Sequence, residues 1–133
     1  MLENFDADDL KTLSPLVVAY IGDAYFHLYI RTRLLEITHK ISKLNDFSAK
    51  IVSAVAQAEA YKKIEETLTD EERTIFRRGR NAKSHAPRSS TVEEYHASTG
   101  FENLLGELFL RKKFSRLDEI CESAFNVWKN NLT

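Results

Sequence analysis

Two carboxylates stand in unusual company. Asp23 interrupts the apolar run PLVVAYIGDAYFHLYI, directly after Gly22. Glu102 interrupts FENLLGELFL, with Gly106 one helical turn later. An ionised carboxylate among hydrocarbons is costly unless it is paired, protonated or bound to a cation. If both runs are helices, a glycine beside each acid lets the two backbones come close. The acids can then converge on one divalent cation. Mg2+ takes oxygen ligands and keeps several waters, so two carboxylates are enough to hold it. Such an ion polarises a phosphate and lowers the pKa of its water, which is hydrolytic chemistry. The residues alone also admit a plainer reading, with each acid hydrogen-bonded in the core or lying at a helix surface.

A second pattern points to polyanions. RRGRNAKSHAPR, residues 77–88, holds five Lys/Arg and no acid, within a chain whose net charge is only −1. Arg77, Arg78, Arg80, Lys83 and Arg88 can meet phosphates, while Asn81 and Ser84 can donate to backbone or sugar oxygens. The alternative is a solvated basic face. His27 lies one turn after Asp23, as a metal partner or a structural imidazole; His39, His85 and His96 are dispersed and complete no zinc site. Cys121 reads as a core residue, and no glycine-rich phosphate loop is present.

Helices must position these groups. The chain has 133 residues, the size of one domain spanning 1–133, and only four glycines and two prolines, too few turn-formers for a many-stranded β fold. The pattern predicts an all-α architecture. A first helix runs from about Ser14 to Leu35, apolar on nearly all faces and so expected at the centre. A second runs from about Asn45 to Leu68, capped by Asn45 or Asp46. Thr69 with Glu72 and Thr91 with Glu94 match capping boxes. They open a short helix ending near Arg80 and a longer one reaching about Lys113. Between them NAKSHAPRSS reads as a loop. Ser115 with Asp118 predicts the last start. Asp23 and the short length of the apolar run argue against a membrane span. The acidic start MLENFDADDL shows no signal peptide, and a lone cysteine fits a reducing compartment, so a cytoplasmic location is expected.

Taken together, three segments resemble the ribonuclease III family. YIGDA at 20–24 is similar to its Leu-Gly-Asp signature, and FENLLGELFL to its second motif of Glu, Leu, a hydrophobic residue and Gly. FRRGRNAKS at 76–84 and KIVSAVAQAEAY at 50–61 resemble the short branch of that family, Mini-ribonuclease III. The likeness covers roughly Leu13 to Leu117. It implies a helical endonuclease that forms a homodimer and cuts double-stranded RNA with Mg2+, leaving 5′-phosphate and 3′-hydroxyl ends. Asp23 and Glu102 match the two carboxylates kept in the short branch, and Tyr20 falls where the family places an aromatic at the dimer seam. That branch lacks a C-terminal double-stranded-RNA-binding domain, and it is associated with maturing the ends of 23S ribosomal RNA precursor. A pre-ribosomal large-subunit particle is therefore an implied partner. Ala19, Leu16 and Thr99 stand where longer relatives have acids, so one held Mg2+ per site is expected. The rival expectations are a non-catalytic helical RNA-binding module and a protein-interaction bundle.

Overall fold

Side-chain caps set most of the helix starts. In the computed structural model, which describes residues 1–83, 85–88 and 90–131, Ser14 Oγ accepts from the Leu16 amide and opens α1, Pro15–Leu34. α2 is Ile41–Ile51 and α3 is Ala54–Ile64. α4, Asp70–Arg80, and α5, Val92–Leu110, both start from complete capping boxes, Thr69 with Glu72 and Thr91 with Glu94. α6 is Phe114–Asn130. Two 3-10 turns, Ala7–Thr12 and Glu65–Thr67, complete the elements. No strand occurs among the described residues, and no helix is long and apolar enough to cross a membrane.

The centre belongs to α5 rather than α1. α5 packs against α1, α3, α4 and α6, and its Phe101, Leu104 and Leu105 are fully buried. They join Phe26, Ile30 and Leu34 of α1, Tyr61 and Ile64 of α3, Phe76 of α4, and Leu117 and Phe125 of α6 in one core. Tyr61 stacks flat on Phe76, with ring centroids 3.5 Å apart. The expectation of an α1 covered on all sides is corrected: Leu16, Val17, Tyr20 and Leu28 are exposed. They lie on one side of α1 at helical spacing, so that its all-round apolarity serves one face in the core and one left bare.

The single helix expected over Asn45–Leu68 is two. The chain leaves α2 after Ile51, and Ser53 takes an extended backbone, accepting from the Ala56 amide and donating to the Lys50 carbonyl. A serine that caps a new helix while bonding back to the old one competes with the helical ladder. α2 also starts at Ile41, earlier than either expected cap, and Ser115 is not a cap. α6 begins at Phe114 with no side-chain cap bond, because Lys113 already turns the chain there. Two ion-pair networks tie α6 to the rest. Arg116 grips both oxygens of Glu72 at 2.8 Å each, and Arg33 of α1 holds Glu122, which also accepts from the Tyr29 hydroxyl.

Candidate active site

Glycine brings the two acids together. A Cβ on Gly22 would lie 1.8 Å from the Glu102 carbonyl oxygen, and one on Gly106 would lie 2.0 Å from the Val18 carbonyl oxygen. α1 and α5 therefore touch backbone to backbone, which larger residues forbid. Asp23 follows Gly22 directly, so this seam carries it to Glu102. Both line one cleft, and burial, with Asp23 beside it, pushes the Glu102 carboxyl up to about 9. Burial and a neighbouring acid both disfavour the charged form of Glu102, which a cation at this place would restore.

Of the placements left open for Asp23, the structure shows a half-exposed one. Its side chain is 47% exposed, because the position faces a cleft instead of the core. His27 Nε2 lies 3.1 Å from Asp23 Oδ1, one turn along α1. The cleft has a volume of about 540 Å³ and is lined by Asp23, Glu102, Gln57, Tyr20, Tyr95 and Thr99 among others.

Gln57 was not expected here. It is 1% exposed, and its Nε2 donates to the Val52 carbonyl at 2.9 Å and to Glu102 Oε2 at 3.3 Å. The break between α2 and α3 explains this: it frees the Val52 carbonyl and turns Gln57 toward Glu102. Ser53 ahead of a new apolar start was the signal in the sequence. Gln57 Oε1 is buried without a partner. Among the described residues no group of three or more His, Cys, Asp or Glu side chains is arranged to hold a metal ion. The two carboxylates are oxygen donors, which suit a hard divalent cation such as Mg2+.

The basic segment borders this cleft. It starts on the last turn of α4, where cations complement the helix dipole, and its loop returns so that Pro87 lines the carboxylate cleft. Arg80, Asn81 and Lys83 line a second hollow with His85 and His96. Arg77, Lys83 and Arg88 are exposed. Arg80 lies over the Phe76 ring, 5.8 Å from its centroid. Arg78 is already engaged, bonding the buried Glu107 at 3.0 Å. Ser84 lies outside the described residues. Tyr20 is 75% exposed, on the bare face of α1 and at the rim of the cleft.

The Ribonuclease III domain family matches residues 16–113, a span that holds every helix lining the cleft. The Mini-ribonuclease 3 of Thermoanaerobacter sp. (strain X514) is 46% identical over 122 residues, covering 90% of this chain and 86% of that one. The Mini-ribonuclease 3 of Staphylococcus aureus is 38% identical over 130 residues, covering 95% and 97%. The crystal structure of protein FN1578 from Fusobacterium nucleatum superposes with a TM-score of 0.80 at 35% identity, covering 89% of this chain and 96% of that one. With the domain matched through the α1–α5 seam and the short relatives matched almost end to end, the chain belongs to the Mini-ribonuclease 3 branch of the ribonuclease III family and is an endoribonuclease.

Proposed function

We propose that this endoribonuclease cuts double-stranded RNA with Mg2+ held by Asp23 and Glu102, and that it matures the ends of 23S ribosomal RNA precursor. The observation that carries the reading is the backbone contact of α1 with α5 at Gly22, which sets Asp23 and Glu102 on one cleft. When bound, the cation supplies a polarised phosphate and a water of lowered pKa. The protein's own residues do the rest. Asp23 and Glu102 fix the place of the cut, and the α1–α5 backbone contact holds them rigid. Gln57 keeps Glu102 in one rotamer, and His27 partners Asp23. Arg77, Arg80, Asn81, Lys83 and Arg88 draw in the phosphate backbone, joined by Arg78 once it leaves Glu107. A-form RNA offers shape and 2′-hydroxyls instead of a readable major groove, so recognition follows duplex form.

The bare face of α1 supports a homodimer. Tyr20, Leu16 and Leu28 would pack on a second copy, and two sites related by a twofold axis would each address one strand. Sedimentation tests this: Tyr20→Glu should give a monomer, and an unaffected dimer would reject the face. The activity is tested by incubating the protein with a duplex RNA and with its separated strands, in Mg2+ or EDTA. Cleavage confined to the duplex with Mg2+ is expected, with 5′-phosphate ends; equal cutting of single strands, or cutting in EDTA, would overturn the reading. Mapping 23S ribosomal RNA ends in cells lacking the protein should show extended termini, and a pre-ribosomal large-subunit particle is then the setting; mature termini would reject that substrate.

A further inference from the structure

We infer that Gln57 is a third oxygen donor of the cation site, a positioning residue whose Oε1 accepts from the hydrated cation. This rests on the metal reading of Asp23 and Glu102 given above. Three observations carry it.

The first is an unpaired acceptor. Gln57 is 1% exposed, yet its Oε1 has no hydrogen-bond partner. A buried acceptor left unpaired forfeits a hydrogen bond that water would have supplied, so such atoms are rare and call for a ligand or a bound water. The second is orientation. Turning the amide over would aim Oε1 at the Val52 carbonyl, which has no proton to give. The Nε2 bonds at 2.9 and 3.3 Å therefore fix which end is free. The third is place. Gln57 lines the same cleft as Asp23 and Glu102. Ser98 and Thr99, also on that cleft, already donate their hydroxyl protons to the Tyr95 carbonyl.

A neutral oxygen suits this position. Mg2+ takes carboxylate, carbonyl and water oxygens alike and keeps much of its hydration shell. With Ala19, Leu16 and Thr99 lacking carboxylates, a fixed amide oxygen adds a donor without adding a third negative charge beside Glu102. Groups that hold a metal's inner ligands in place are worth about 10- to 100-fold in metal affinity.

The test separates the two ends of the amide. Mn2+ binding is measured by the loss of its free EPR signal, without RNA, for the parent, Gln57→Met and Gln57→Glu. Methionine keeps the length and removes both ends; glutamate keeps the oxygen acceptor and removes the donor. Gln57→Met should bind Mn2+ at least ~10-fold more weakly, and Gln57→Glu should recover the parent's affinity or exceed it. Equal binding by Gln57→Met and the parent would overturn the proposal. So would Gln57→Glu binding as poorly as Gln57→Met, since the Nε2 clamp would then be the whole effect. A parent that binds no Mn2+ would instead sink the metal reading itself. Should either variant fail to fold, NMR of the parent decides: the Gln57 side-chain amide must shift on Mg2+ titration with the midpoint of cation binding, and a silent amide rejects the role.

Discussion

Replacing Gly22 by alanine should be among the most damaging single-methyl changes available to this protein. The added Cβ would meet the Glu102 carbonyl oxygen at 1.8 Å, where ordinary contact begins at 3.4 Å, and the Gly106 nitrogen at 2.7 Å. Both are backbone atoms of α5, so no rotamer change relieves them. The helices would have to part by well over an ångström along a seam that carries both acids. Overpacking a well-filled core costs about 1–3 kcal/mol and sometimes more. A backbone clash of this depth belongs at the upper end, even after the roughly 1 kcal/mol that alanine gains over glycine in a helix. A net loss of about 3 kcal/mol corresponds to roughly 12 °C in melting temperature for a domain of this size. Differential scanning calorimetry reads that shift, and a duplex-cleavage assay below the melting point should show activity falling further than stability alone requires. Gly106→Ala should behave alike, since its Cβ would meet the Val18 carbonyl oxygen at 2.0 Å. A Gly22→Ala protein melting within about 2 °C of the parent would refute the backbone contact and the way the seam positions Asp23.

Three further outcomes are expected. Glu122 is held down to about 2 chiefly by its Arg33 hydrogen bonds and next by Tyr29, and Arg116 lowers Glu72. Depressed carboxyls contribute stability that is present above their unfolded value, 4.5, and lost as pH falls toward 2, so the urea midpoint should drop across that window; a flat midpoint would contradict the networks. Glu102 has the opposite sign. Its carboxyl is raised toward 9 by burial and by Asp23, so its contribution is full below 4.5 and lost as pH rises. In EDTA, Glu102→Gln should therefore hold its melting temperature between pH 6 and 9 better than the parent, and an identical decline would count against the burial of that acid. Reversing Arg77 and Arg80 to glutamate should weaken duplex binding and flatten its dependence on salt by about one unit of slope per lost phosphate contact, read by filter binding; an unchanged slope would remove both from the interface.

Much of this was legible in the sequence where a local signal decided the outcome. Thr69 with Glu72 and Thr91 with Glu94 placed α4 and α5 because a capping box is a short-range arrangement. Asp23, Glu102 and their glycines marked the seam because an acid beside a glycine in an apolar helix has few uses. What escaped depended on tertiary context. The break at Val52–Ser53 is one serine choosing a cap over continuation, and the periodicity of Ile51, Val52 and Val55 hides it. Gln57 followed from that break, so its arrival beside Glu102 could be seen only once Ser53 was read as a cap. The exposure of Tyr20 and Leu28 also escaped, since an apolar helix face reads alike whether another helix covers it or it lies bare. Arg78 shows the reverse limit: a free cation by composition, it is bound to Glu107.

The paired acids are tested most directly by single-turnover cleavage of a duplex RNA at saturating Mg2+, comparing the parent with Asp23→Asn, Glu102→Gln and the double variant, with circular dichroism verifying the fold of each. Residues that act as one unit are not additive. Each single change should slow cleavage by about 10³-fold or more, on the scale of losing a principal catalytic electrostatic group, and the double variant should be no slower than the worse single. Parent-like cleavage by either single variant, or losses that multiply in the double, would contradict a shared site.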